Sequence, residues 1–108
     1  PELRKNIVDR GAEFVRRMKD LAAEKPLAGA ITRVQGTGLL VSCELDPARF
    51  KCYGAGSTEE YLRTKGIGVI HGGASSLRFT PHFAVTSAEL GLIVDRIRDS
   101  LLHGPRKG

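Results

Sequence analysis

The residues of this sequence that could do chemistry are two cysteines, three histidines, several glycine clusters and one arginine set among apolar neighbours. A cysteine nucleophile needs a nearby base to hold its thiolate. Cys43 lies mid-strand in the β-favouring segment Gly38-Leu39-Leu40-Val41-Ser42-Cys43-Glu44-Leu45, where a thiol usually serves as an inert core group. Cys52 falls in a loop, is expected to be more exposed, and has no evident partner in the sequence. His71, His82 and His103, taken with both cysteines, give no ligand pair at the spacings zinc sites use, so no metal site is expected. His103 closes a helix, where a cation suits the dipole. Glu59 and Glu60 are adjacent, and helix capping accounts for them better than acid–base catalysis.

The glycine clusters invite a phosphate-binding reading and fail it. Gly36-Thr37-Gly38 follows a strand but leads into another strand, whereas a dinucleotide fingerprint needs a helix whose N-terminus receives the pyrophosphate. Gly54-Ala55-Gly56-Ser57-Thr58 does precede a helix, yet lacks the Gly-Lys-Ser/Thr sequence of a phosphate cradle. Turn chemistry explains both.

Arg78 is the residue to keep. It sits in Leu77-Arg78-Phe79-Thr80-Pro81, a short strand between a glycine-rich stretch and a proline. A guanidinium is always charged and presents a planar fork that matches a carboxylate bidentately. Composition alone favours an ordinary outward-facing strand arginine.

The elements that must position these residues follow from periodicity. Leu3, Ile7, Phe14, Met18 and Leu21 form one apolar stripe of helical period over the first 25 residues, widened by Val15 and Ala22. Arg4, Lys5, Arg16, Arg17 and Lys19 take the wet side, and Pro26 ends the helix. Gly11 lies on or near the stripe, where a missing side chain would let another backbone approach. Ile31–Val34 and Gly38–Leu45 read as two strands, or one strand broken by a glycine turn or bulge. Asp46-Pro47 opens a loop reaching about Gly56. Ser57-Thr58-Glu59-Glu60 has the form of a capping box for a short helix that ends at Lys65-Gly66. Ile67–His71 and Leu77–Thr80 are further strands, with Gly72-Gly73 as a turn. Thr86-Ser87-Ala88-Glu89 caps a final helix that lines up Leu90, Ile93 or Val94, Ile97 and Leu101 and stops at Gly104-Pro105. The order α-β-β-α-β-β-α predicts one α+β domain, a mostly antiparallel sheet of three or four strands covered by helices.

Composition agrees with a single folded domain: 108 residues, 41% hydrophobic and 27% charged. No apolar run is long enough for a membrane span. The chain starts Pro-Glu-Leu-Arg-Lys, without initiating Met or secretory apolar stretch, so a processed or excised piece is expected. The net charge of +5 is spread along the chain, with Arg106-Lys107 its one concentration. Cysteine usage points to a reducing, cytoplasmic setting.

From Asn6 onward the sequence resembles the C-terminal small domain of class III (subgroup II, fold type I) pyridoxal-phosphate-dependent aminotransferases. Asn6-Ile7-Val8-Asp9-Arg10-Gly11 resembles the opening of the helix that follows the large domain. Val34-Gln35-Gly36-Thr37-Gly38-Leu39 is similar to the family's Val-Arg-Gly-x-Gly-Leu turn, and Leu62 to Gly66 with Val69-Ile70 to its approach to the next strand. Leu77-Arg78-Phe79-Thr80-Pro81 ahead of a capped final helix is the most specific piece. The family includes acetylornithine, ornithine and 4-aminobutyrate aminotransferases, with related decarboxylases and aminomutases.

The resemblance implies a share of an enzyme that moves an amino group between an amino acid or amine donor and a 2-oxo acid. It implies pyridoxal 5'-phosphate held mainly by a large domain, which supplies the Schiff-base lysine and an aspartate for the pyridine nitrogen. It also implies a homodimer, and a small domain that closes the site while Arg78 binds a substrate carboxylate or pairs with a glutamate that swings aside. Lys5, Lys19, Lys25, Lys51, Lys65 and Lys107 fall on helix faces, in loops or in the tail, so this piece alone is expected to be inactive. Gln35 stands where the family commonly has arginine, which removes any ion pair made there. Pro81-His82 replaces the frequent Pro-Pro; His82 either tunes substrate choice or is an ordinary loop histidine. The alternative is a stand-alone binding module of ferredoxin-like topology, for nucleic acid given the positive charge. Against it, the predicted sheet lacks interleaved aromatics beyond the neighbouring Phe79 and Phe83, and stacking platforms need more.

Overall fold

Helix α1 (Glu2–Ala22) forms on the expected apolar stripe: Phe14, Met18 and Leu21 are fully buried. The computed structural model describes residues 2–71, 75–81 and 85–106. After α1 a single 3-10 turn, Lys25–Leu27, takes up Pro26 and buries Leu27, so the helix ends at Ala22, short of residue 25. Then follow β1 (Ile31–Thr37), β2 (Leu40–Leu45), α2 (Thr58–Thr64), β3 (Ile70–His71), β4 (Ser76–Phe79) and α3 (Ser87–His103). The α+β order is the one the sequence predicts.

The sheet has the order β1-β2-β4-β3 with every neighbouring pair antiparallel. Three strands are of ordinary length and β3 is a two-residue edge. No described pair is parallel, so the split βαβ unit of a ferredoxin-like module is absent among the described residues.

The first hairpin departs from the expected boundaries. Strand β1 runs on through Gln35-Gly36-Thr37, and the turn is only Gly38-Leu39, closed by the Thr37 and Leu40 pair. Gly38 has φ +57°, and no described residue other than glycine has positive φ. A glycine first and an ordinary residue second is the arrangement of a type II′ turn, whose twist matches antiparallel strands. The glycines make the break as a turn; the register shift in this pair lies elsewhere, between Ile31 and Arg33.

Gly11 explains why the hairpin lies where it does. A Cβ at Gly11 would stand 2.0 Å from the Gly38 carbonyl oxygen, so α1 and the hairpin tip touch backbone to backbone. Gly36 makes the same kind of allowance one turn along, where its Cβ would fall 2.4 Å from Val15 Cγ2. The close approach expected of Gly11 is therefore real, and its partner is the hairpin.

Both helix starts follow the predicted chemistry. Ser57 Oγ accepts from the Glu60 N–H at 3.1 Å, while Glu60 reaches back one residue further than expected, to the Gly56 N–H at 3.1 Å. Thr86 and Glu89 form the full reciprocal box at the start of α3. At the end of α2, Gly66 takes φ +85° while its N–H donates to Arg63 O and the Ile67 N–H to Leu62 O. This double closure draws Ile67 into the helix cap. It is why β3 starts at Ile70 and not at Ile67. The expected Gly72-Gly73 turn lies outside the described residues.

Alternation then sorts the sheet. Val41, Cys43 and Leu45 of β2 and Leu77 and Phe79 of β4 face the helices and are buried. They meet Phe14, Met18 and Leu21 of α1 and Leu90, Val94, Ile97 and Leu101 of α3 in one core; the Phe14 and Phe79 rings lie 6.0 Å apart. Val94, not Ile93, takes the core position. Polar ties bind the helices together: Glu24 to Arg98 at 2.8 Å, Tyr61 to Asp99 at 2.8 Å, and Ser87 Oγ to Glu13 at 2.8 Å. The other face of the sheet carries Gln35, Ser42 and Arg78, and among the described residues no helix covers it.

Candidate functional site

Arg78 is placed by β4. Its neighbours Leu77 and Phe79 turn into the core, so the guanidinium is set on the open face and exposed. Register aligns one residue from each strand beside it: Gln35 pairs with Ser42, Ser42 with Arg78, and Arg78 with Ile70. With strands about 4.8 Å apart, the row spans the sheet and its side chains share one face. A shallow groove of about 300 Å³ is lined by Gln35, Gly36, Thr37, Leu40, Ser42 and Arg78.

Among the described residues no carboxylate lines that groove. Glu44 is on the same face but one step along, opposite Ser76 and Arg33. Among the described residues, none forms an ion pair or side-chain hydrogen bond with Arg78. Four other arginines hold carboxylates: Arg10 and Arg17 hold Glu13, Arg63 holds Glu59, and Arg98 holds Glu24 and Asp95, whereas Arg4, Arg16, Arg33 and Arg96, like Arg78, form no ion pair among the described residues. Arg78 thus has its fork available for an incoming anion, flanked by neutral hydroxyl and amide groups and by the half-exposed Ile70.

The remaining candidates take structural places. Cys43 is fully buried, and burial pushes its thiol up to about 12. Cys52 is buried as well, contrary to the exposure expected of a loop. The reason is local. Phe50 and Cys52 lie two apart in a segment that folds onto the core, and the guanidinium carbons of Arg49 and Arg106 cover the Phe50 ring at 5.6 and 5.8 Å. Glu59 pairs with Arg63 at 3.0 Å, and Glu60 caps α2. His103 is exposed in the last turn of α3. Gly54 and Gly56 have φ +96° and +70°, the turn geometry expected of them, and Lys51 Nζ donates to Ala55 O within that turn. His82 and Phe83 lie outside the described residues, as does Lys107. Among the described residues no His, Cys, Asp or Glu group is assembled to hold a metal ion, and no helix is long and apolar enough to cross a membrane.

One residue near Arg78 has no signal in the sequence. Tyr53, in the loop after β2, puts its hydroxyl 2.8 Å from Ile70 O and 2.6 Å from Ser76 O. Nothing in the order Lys51-Cys52-Tyr53-Gly54 announces this, because the contacts are with residues 17 and 23 positions away.

With this geometry in view, similarity to solved structures becomes informative. A lysine aminotransferase from M. tuberculosis in the internal aldimine form is 24% identical, with TM-score 0.74 over 93% of this chain and 22% of its own. An acetylornithine aminotransferase from Elizabethkingia anophelis is 20% identical, with TM-score 0.77 over 94% of this chain and 25% of its own. A Bacillus anthracis aminotransferase is 17% identical, with TM-score 0.74 over 93% of this chain and 24% of its own. This chain has their fold. It spans about a quarter of the length of each of these chains. No family model matches the sequence, and no curated protein is similar enough in sequence to count as a relative.

Proposed function

We propose that residues 1–108 are the C-terminal small domain of a class III pyridoxal-phosphate-dependent aminotransferase. The whole protein would transfer an amino group between an amino acid or amine donor and a 2-oxo acid, as a cytoplasmic homodimer. The chain's part is to close over the site, next to a large domain, and to present Arg78 to a substrate carboxylate. The observation that carries this reading is Arg78 itself, a guanidinium without an ion-pair partner among the described residues. It stands in an acid-free groove on the open face of a sheet whose fold is shared with aminotransferases. A charged fork left unpaired on a polar surface suits a ligand that brings its own negative charge.

In this reading the cofactor is held mainly by the large domain. Its aldehyde needs a lysine amine held in a pocket, and Lys5, Lys19, Lys25, Lys51 and Lys65 are all exposed. The chemistry therefore belongs to the large domain, and the isolated chain is inactive in this reading.

The test is Arg78→Ala in the complete gene product, assayed with amino acid donors and with benzylamine, which has no carboxylate. Loss of a charge-assisted pair should lower kcat/KM for amino acids about 10- to 100-fold and leave benzylamine little changed. An equal fall for both donors would overturn the assignment. Visible cofactor absorption that bleaches on adding an amino donor checks the enzyme class, and a colourless gene product would refute it.

A further inference from the structure

We infer that Tyr53 is a positioning residue for Arg78, acting as a staple across β3 and β4. The inference rests on the carboxylate-binding role proposed above for Arg78.

Among the described residues β3 has two residues, and its ladder to β4 there consists of the Ile70–Arg78 and His71–Leu77 pairs. A ladder that short is marginal in water. It is also the edge of the sheet, with no strand beyond it among the described residues. The phenol of Tyr53 supplies what the ladder lacks. Its oxygen stands between the Ile70 and Ser76 carbonyls, at 2.8 and 2.6 Å. Ile70 is the cross-strand partner of Arg78, and Ser76 lies two residues before it on β4, on the same face. The staple thus grips the backbone on both sides of Arg78's neighbourhood.

The phenol has one proton and two carbonyls to serve. It donates to one carbonyl at a time and exchanges between them, so both strands stay within a hydrogen bond of one oxygen. That oxygen is a fixed reference point. Tyr53 is half-buried and packs on the core, and its loop is anchored by the buried Phe50 and Cys52 on its N-terminal side. The guanidinium is consequently referred to the core through Tyr53 as well as through Leu77 and Phe79. Placement of a binding fork matters, since an error of about 1 Å in a reacting pair can cost on the order of 100-fold.

Tyr53→Phe keeps the ring and removes only the hydroxyl. In the complete gene product, amide hydrogen exchange over residues 69–79 should rise about tenfold, with exchange in α1 and α3 unchanged. KM for amino acid donors should rise about fivefold with kcat held, while both constants for benzylamine stay put. Unchanged exchange over residues 69–79 would overturn the staple. Looser exchange with amino acids and benzylamine affected alike would overturn its role in positioning Arg78. Arg78→Ala, measured alongside, separates the two ideas. If that variant shows no preference against amino acids, the carboxylate role of Arg78 fails, and the exchange result still decides whether Tyr53 holds β3 to β4.

Discussion

Replacing Gly11 with alanine should destabilise the fold although alanine is the better helix former. The new Cβ would sit 2.0 Å from the Gly38 oxygen and 2.8 Å from its carbonyl carbon, whereas real Cβ contacts essentially never fall under 3.0 Å. The obstacle is backbone on both sides, so relief requires the hairpin tip to retreat by about 1 Å from a close-packed helix. Overpacking of this kind costs about 1–3 kcal/mol, against about 1 kcal/mol gained by removing a glycine from a helix interior. The balance is a loss of up to about 2 kcal/mol, which in a domain of this size lowers Tm by up to about 15 °C. Gly91→Ala is the matched control. Its Cβ would meet only the Arg17 Nη1 at 2.9 Å, the end of a flexible and partly exposed side chain that can swing aside. That substitution should hold or raise Tm, since Arg17 is partly exposed and the buried Glu13 keeps Arg10 and Ser87 as partners when Arg17 swings aside. Thermal and urea unfolding followed by circular dichroism measure both variants. A Gly11→Ala protein as stable as its parent, beside a destabilised Gly91→Ala protein, would refute the claim that backbone contact and not propensity governs these positions.

Two further outcomes follow from buried groups. Burial disfavours the Glu13 carboxylate, yet hydrogen bonds from Ser87 and Arg17 and the charges of Arg17 and Arg10 outweigh it and hold its pKa below the ordinary 4.5. The unfolded chain therefore takes up the proton more readily, and the stability Glu13 contributes is complete above the ordinary value and lost as pH falls through the folded-state value. Glu13→Gln should be less stable than the parent at pH 7, with the gap closing below about pH 4; a gap independent of pH in urea unfolding would contradict this. Cys43, buried with its thiol pushed up to about 12, should resist a thiolate-directed reagent at pH 8 in the folded chain and react on unfolding. Rapid labelling of Cys43 in the native state, located by mass mapping, would show the core opening locally.

Periodic signals were the most legible part of this sequence. The apolar stripe of α1 named Phe14, Met18 and Leu21 as core, and Thr86 with Glu89 marked the start of α3 to the residue. Local rules failed where a distant contact decided the outcome. Gly36 reads as a break between strands, yet it stays in the ladder because Val15 of α1 needs the space where a side chain would be. Ile67 and Val69 have the composition of a strand, yet the α2 cap claims the Ile67 N–H and delays β3. Cys52 reads as an exposed loop residue because the sequence does not say that Phe50 beside it will be folded under two arginines. The exposed placement of Arg78 was legible from the Leu77-Arg78-Phe79 alternation alone.

What alternation could not supply is the company Arg78 keeps, because register is a property of two strands and not of one. A slip of one residue in the β1–β2 pairing would exchange the faces, turning Gln35 or Ser42 inward in place of Val34 or Cys43. The device that forbids the slip is the two-residue turn at Gly38, and the device that seats the turn is the bare backbone of Gly11 beneath it. Position 11 in the first helix thus governs which polar groups stand beside the guanidinium of the last strand, through a hairpin that touches both. On the other flank, the two-residue β3 depends on the Tyr53 hydroxyl for much of its hold on β4. Arg78 is set between one edge fixed by glycine backbone and another fixed by a single phenol. Shape on the first side and one exchangeable proton on the second make β3 the more mobile of the two flanks of Arg78, because a steric contact tolerates less displacement than one hydrogen bond shared between two acceptors.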